Sequence, residues 1–324
     1  MRDARAEAAE RVGGRYDVRV LEPSPPAIVE GPFFADDPVA GGQVVPVHRE
    51  GAQSWAALCE REEDESLRAW CEARWLLRPP LSPLPAGFER TRASLHALAE
   101  HVIAPCRHDA TAKIGLRFTH RGFGTPFLPG DRQVRVDAGI LVDSRTEGDR
   151  EHELTTLGEA ARFLGTTLGA PIEVYRPTTP GAAGTPLLVD TPAALALGDW
   201  FGFCASLLEQ LRADAGAAAG AADGADAAAA AGAAAAMSAD APSRVQLWPE
   251  HFDLAVDLGP EGRRANFGGS PGDDAHPEPY LYVGPWEPRR GEFWNEPFGA
   301  SLSYRELLGG ADGLAFLRQG RALL

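Results

Sequence analysis

Residues 248–258 alternate apolar and polar side chains, and this pattern predicts a β-strand with two unlike faces. Successive side chains of an extended chain point to opposite faces. The apolar set shares one face: Phe252, Leu254, Val256 and Leu258. The other face carries His251, Asp253, Ala255 and Asp257. We therefore expect one face to pack into a core and the other to present an imidazole and two carboxyl groups.

A second short strand is predicted at residues 280–286, where Leu281 and Val283 alternate with Tyr280 and Tyr282. If the two strands pair antiparallel, their polar faces coincide and form one surface. The loop between them would lie near one end of that surface and contribute Asn266, Asp273 and His276 as ligand-binding residues. Apolar and aromatic walls around a few polar groups are typical of pockets for small polar molecules.

These residue types could also perform catalysis. If they do, we expect His251 to act as general acid or base, with Asp253 or Glu250 as its orienting partner. Tyr280 and Tyr282 would then donate hydrogen bonds to the ligand. The pattern identifies no substrate, reaction or cofactor. An alternative stays open, in which Asp253 and Asp257 lie on the solvent face of an amphipathic strand and the loop aspartates form a turn.

The same region contains residue types that bind divalent metals, namely His251, Asp253, His276 and Glu278. Their spacing matches no established metal-binding signature. The sequence therefore predicts no metal site.

A second candidate surface lies at residues 113–119, where Lys113 and Arg117 share one face of a predicted strand. An anionic ligand could bind these cations and the backbone N–H groups of a following loop that contains Gly122 and Gly124. The alternative is that both cations pair with acidic neighbours on an exposed face.

The order of predicted elements favours an α+β fold, mainly an antiparallel sheet packed against helices, because strands and helices mix without a regular βαβ alternation. Helices are predicted at residues 89–104, where Pro105 should end the helix, at 156–164, and from Thr191 to about residue 211. Strands are predicted at residues 113–118, 133–142, 172–175, 244–258 and 280–286.

Composition divides the chain into two parts. Residues 1–85 are rich in proline and predict an extended segment with one helical stretch. Residues 86–324 are predicted to form the α+β domain. Within it, residues 213–241 are almost wholly Ala and Gly, which predicts a flexible insertion.

Charge and cysteine content indicate the expected surroundings of the protein. A net charge of -15 disfavours nucleic acid and anionic membranes as partners. No secretory signal and no apolar stretch long enough to cross a bilayer is evident. The four cysteines are widely spaced and include no C-x-x-C pair, so a reducing cytoplasm is expected. A protein partner that docks on residues 1–85 and exposed tryptophans remains an alternative to a ligand pocket.

Six runs of the sequence carry a family resemblance: LHALAEHV (95–102), KIGLR (113–117), GFGTPF (122–127), LWPEHFD (247–253), SPGD (270–273) and PYLYVGPW (279–286). With them the chain resembles a family of hypothetical proteins from high-GC bacteria. The resemblance covers nearly all of the chain outside the Ala-rich stretch. It implies one integrated fold and no particular activity.

Overall fold

The fold is α+β, as the sequence predicted, with antiparallel sheets packed against helices. The computed structural model describes residues 81–119, 121–126, 128–130, 132–145, 147–222, 242–243 and 245–324. Most of the predicted proline-rich segment 1–85 lies outside these residues, and so does the Ala-rich stretch 223–241.

Ten strands of the described residues form two five-stranded sheets. In chain order the first sheet contains β1 (Arg117–Thr119), β2 (Gly122–Gly124), β3 (Gln133–Asp137), β4 (Ile140–Arg145) and β5 (Gly148–Glu153). The second contains β6 (Gln246–Trp248), β7 (Asp253–Leu258), β8 (Ala265–Ser270), β9 (Tyr280–Pro285) and β10 (Ala300–Ser303). In both sheets each strand pairs antiparallel with the next strand in the chain.

A backbone bridge joins the two sheets at their first strands. The N–H of Leu116 donates to the carbonyl oxygen of Leu247 at 2.7 Å, and the N–H of Leu247 donates to that of Leu116 at 2.8 Å. Both side chains are fully buried. The bridge therefore places β1 beside β6, and the surface of one sheet continues into that of the other.

The described helices are α1 (Phe88–Leu98), a π-helical segment (Ala99–Ile103), α2 (Ala104–Thr111), α3 (Leu157–Leu164), α4 (Thr191–Ala222), α5 (Tyr304–Leu308) and α6 (Gly313–Ala322). The central helix is α4, which contacts β1 and β2 of one sheet and β7 and β8 of the other. Its Trp200, Phe201 and Cys204 are buried. Both sheets thus share one core.

Helix α4 corrects two expectations. Its segment Thr191–Arg212 is long and apolar enough to cross a membrane, so the prediction that no stretch has this character is wrong. In the fold, 67% of that apolar window is buried, as expected of a core helix. The helix also continues to Ala222, and its Asp214 pairs with Arg318 of α6 at 2.7 Å. Residues 213–222 therefore belong to a helix and not to a flexible insertion.

The prediction that Pro105 ends the first helix is wrong. The helix continues through Pro105, which follows the π-helical segment. Proline has no N–H to donate to the carbonyl four residues earlier, which is that of His101. That oxygen accepts instead from the N–H of Gly169 at 3.0 Å. The neighbouring carbonyl of Glu100 accepts from the hydroxyl of Tyr175 at 2.7 Å. The helix therefore passes the proline because residues 169–175 satisfy the freed carbonyls.

We predict that Gly269→Ala lowers the free energy of unfolding by roughly 1 to 3 kcal/mol, because an added methyl group would overlap the Sγ of Cys204 in α4. Gly184→Ala is the matched control, since nothing lies within 4 Å of its added Cβ, and it should change stability by less than about 0.5 kcal/mol. Urea unfolding of both variants measures this. Equal effects would contradict the close packing of α4 on β8.

Candidate functional site

The second sheet has one apolar and one polar side. Its register places Leu254, Gly269 and Leu281 in one row, and α4 covers that side, since Gly269 touches Cys204. The row beside it contains Ala255, Gly268 and Tyr282, whose side chains point the other way. We call this second side the polar face, which carries Asp253, Asp257, Asn266, Ser270, Tyr280 and Tyr282.

The predicted direct pairing of the two polar strands is wrong, because β8 lies between β7 and β9. The sequence predicted a loop at the residues of β8. The two polar sets meet nevertheless, because Gly268 has no side chain and the ring of Tyr282 lies across it. The Tyr282 hydroxyl then donates a hydrogen bond to Oδ2 of Asp253.

The aspartates of β7 are buried, so the alternative that they lie on a solvent face is wrong. Asp253 is 7% exposed and Asp257 is 4% exposed. Asp257 pairs with Arg264, whose Nε lies 2.9 Å from Oδ2. Burial raises the pKa of Asp257 to about 6, against the opposing effect of the Arg264 guanidinium. Asp257 thus forms a structural ion pair, whereas Asp253 turns toward Tyr282.

Asp273, His276 and Tyr280 come together beside Tyr282. Asp273 Oδ1 accepts the N–H groups of Ala275 at 2.8 Å and His276 at 2.7 Å, and Oδ2 accepts the Tyr280 hydroxyl at 3.1 Å. Burial alone would raise the pKa of Asp273, but these hydrogen bonds outweigh it and hold the pKa below its ordinary value. Asp273 is therefore ionised near neutral pH.

The turn between β6 and β7 interrupts the predicted alternation. Phe252 has a φ of 53°, in the left-handed region where a bulky side chain is rare and costs about 1 to 3 kcal/mol. Its ring remains in the core, stacked on His96 with centroids 5.1 Å apart. His251 lies in the turn and is exposed. The prediction that His251 and Asp253 share one strand face is therefore wrong.

Glu250, in the same turn, is buried at 9% exposure. Its Oε2 has no hydrogen-bond partner among the described residues. Burial raises the pKa of Glu250 to about 7, and the negative charges of Asp253 and Glu100 act in the same direction, against His251. A carboxyl group with such a pKa can accept or release a proton near neutral pH.

Three polar residues of the helix beside this turn were not among the predicted site residues: Arg92, His96 and Glu100. They lie four residues apart and so share a stripe, which is the signal that could have revealed them. Arg92 Nη1 donates to the carbonyl of Pro277 at 2.8 Å, and His96 Nε2 donates to that of Pro249 at 2.9 Å. Burial lowers the pKa of His96 to about 4, so its ring is neutral near pH 7. Arg92 and His96 therefore fix the two loops that border the polar face, one through Pro277 and the other through Pro249.

Glu100 is fully buried and fastens residues 178–179 to the π-helical segment. Its carboxylate accepts the N–H of Thr178 at 2.8 Å and that of Thr179 at 2.9 Å, and both threonine hydroxyls donate to it as well. π-Helical segments are frequent at functional sites. Here the segment carries a buried carboxylate whose charge helps to raise the pKa of Glu250.

The second candidate surface joins the first. Because Leu116 pairs with Leu247, Arg117 lies opposite Gln246, which pairs with Ala255 of the polar face. Arg117 is 3% exposed, so the alternative that it pairs with acidic neighbours on an exposed face is wrong. Lys113 precedes β1 and is half-buried. The predicted anion-binding loop is wrong as well, since Gly122 and Gly124 belong to β2, which is paired on both sides.

No group of three or more His, Cys, Asp or Glu side chains that could hold a metal ion occurs among the residues that the structure describes. Comparison with protein-family models, curated proteins and solved structures found no match. The resemblance to a bacterial family therefore stays a prediction.

We predict that Glu100→Gln lowers the free energy of unfolding by roughly 2 to 4 kcal/mol, because an amide group would face donors that now reach a carboxylate. Hydrogen exchange at the Thr178 and Thr179 amides should accelerate at the same time. Glu261→Gln, at an exposed turn position, removes the same charge and should have neither effect. Unchanged exchange at residues 178–179 would contradict the role of Glu100.

Proposed function

We propose that the protein binds a small polar molecule on the polar face and exchanges a proton with it through Glu250. The observation that carries the proposal is the buried Glu250 carboxyl, which has one oxygen without a partner among the described residues and a pKa raised to about 7. Leaving a buried polar atom unpaired costs about 1 to 3 kcal/mol, which a ligand group could recover. Burial and a neighbouring charge shift pKa values in this way at many catalytic sites.

In this proposal Glu250 takes the role that the sequence assigned to His251. A proton-transfer group must be shielded enough for its pKa to be tuned and must point at the ligand. Glu250 is buried beside Asp253, whereas His251 is exposed in the turn. Asp253 and Tyr282, hydrogen-bonded to each other, would position the ligand.

The first prediction from this proposal concerns stability and pH. The pKa of Glu250 rises from 4.5 to about 7 on folding, so its contribution to stability is fully present below pH 4.5 and is lost as the pH rises to about 7. At about 1.4 kcal/mol for each pKa unit, this loss is about 3 kcal/mol.

Glu250→Gln, which imitates the protonated acid, should not show this loss. The difference in unfolding free energy between wild type and variant, measured in urea from pH 4.5 to 8, should therefore change by about 3 kcal/mol in favour of the variant. The contribution of Asp257 is common to both proteins and cancels. Glu261→Gln should follow the wild type, and a constant difference for Glu250→Gln would contradict the raised pKa.

The second prediction concerns binding. A library of small polar metabolites, screened by thermal shift at pH 6 and pH 8, should contain a compound that raises the melting temperature of the wild type. Tyr282→Phe should weaken its binding by roughly ten-fold, since a hydrogen-bonding group at the ligand is lost. Glu250→Gln should bind the compound and fail to transfer the proton.

The contrary outcome is a screen without any stabilising compound, combined with a protein partner whose binding requires residues 1–85. That result would contradict the proposed ligand pocket and favour a protein-interaction module instead.

A further inference from the structure

We infer that the ligand of the polar face carries a cationic nitrogen, an ammonium or methylated ammonium group, which binds at a corner formed by His276, Tyr280, Tyr282 and Phe298. This inference rests on the proposed function, because it assigns a ligand class to the same surface. Three observations carry it: the arrangement of the rings, the direction of the tyrosine protons and the surrounding carboxyl groups.

Three of the rings form a nearly equilateral triangle. Their centroids lie 6.4 Å apart for Tyr280 and Tyr282, 6.5 Å for Tyr282 and Phe298, and 6.2 Å for Tyr280 and Phe298. One cation can therefore lie within about 6 Å of all three centroids, the range in which ring faces attract positive charge. The His276 ring lies beside them, 4.9 Å from Tyr280. All four side chains are half-buried, so part of each remains accessible from solvent.

The tyrosine hydroxyl protons are directed away from a ligand. Tyr282 donates to Asp253, and Tyr280 donates to Asp273 at 3.1 Å. A phenol oxygen whose proton is engaged offers only lone pairs. The sequence predicted both tyrosines as donors, whereas this geometry makes them acceptors. Lone pairs that only accept favour a positively charged ligand group, which attracts them through its charge and, where it carries N–H bonds, through hydrogen bonds as well.

Carboxyl groups surround the same corner. Asp273 is held ionised by its hydrogen bonds, and the Glu296 carboxyl lies 3.5 Å from the His276 ring and accepts the Ser301 hydroxyl at 3.0 Å. Asp253 adds a third carboxyl group through its contact with Tyr282. Negative charge beside aromatic faces favours a cation over a neutral ligand.

Arg92 lies against the loop that carries Asp273 and His276. Its Nη1 donates to the carbonyl oxygens of Pro277 at 2.8 Å and Pro271 at 3.5 Å. An added Cβ on Gly272 would overlap that guanidinium, so the arginine lies against the backbone of the loop. The guanidinium thus holds the loop in place and also interacts through its charge with Asp273 and Tyr280.

The test uses three small probes at matched ionic strength: tetramethylammonium chloride, methylammonium chloride and neutral tert-butanol. Binding to the full chain is followed by NMR shifts of the Tyr280 and Tyr282 rings. We expect at least one ammonium probe to bind more tightly than tert-butanol, which has nearly the same shape as tetramethylammonium and no charge. Preference between the two ammonium probes shows whether the natural group is methylated.

Phe298→Leu removes one ring face and keeps an apolar side chain, so it should weaken ammonium binding by about five-fold or more. Phe298→Tyr restores a ring and should restore binding. Phe316→Leu, a half-buried phenylalanine of α6, is the matched control and should bind as the wild type does. Melting temperatures of the three variants report whether each one is folded.

Equal binding of tert-butanol and the ammonium probes, absence of binding by all probes, or unchanged affinity in a folded Phe298→Leu variant would overturn the inference. The proposed function fails separately. If a metabolite without a cationic nitrogen binds and requires Glu250 and Tyr282, the polar face is a ligand site of another class and only the cation inference falls.

Discussion

The hydrogen bond from Tyr282 to Asp253 across Gly268 connects the parts of the polar face. It exists because β8 supplies a residue without a side chain at the one place where a phenol ring must cross a strand. A side chain at that position would displace the ring and separate the carboxyl group of β7 from the hydroxyl of β9. The neighbouring Gly269 serves the opposite side of the same strand, where Cys204 of α4 packs against it. Two consecutive glycines thus serve the core and the site.

Burial is the second constraint on this surface. A sheet side turned away from the core usually exposes its polar residues, yet Asp253, Asp257 and Ser270 are all buried. Burying carboxyl groups is costly unless they find partners or take up protons. Asp257 has Arg264, and Glu100 has the threonine pair. Glu250 has a raised pKa instead, which makes it the group of this set best suited to exchange a proton.

The sequence predicted the features that depend on local spacing. The helix start at Thr156 is confirmed, with the threonine hydroxyl accepting the Glu159 N–H, and the alternation in β9 is confirmed as well. The sequence could not predict β8, because Gly268 and Gly269 are typical of loops. They are suited to this strand because the Tyr282 ring packs on Gly268 and Cys204 packs on Gly269. The sequence also did not predict the left-handed Phe252, whose ring packs against His96, a residue of a distant helix. The helix across Pro105 depends on Tyr175 and Gly169, which lie more than sixty residues away in the chain. The features that the sequence did not predict thus depend mostly on contacts between residues that are distant in the chain.

A direct titration of the glutamate side chains by carbon-13 NMR tests the central claim, that Glu250 is a buried proton-exchanging group at the edge of the polar face. The signal of Glu250 is identified by its disappearance in Glu250→Gln. The account predicts that this one carboxyl titrates with a pKa of about 7. A pKa of about 4.3 for Glu250, the ordinary value for glutamate, would contradict this claim.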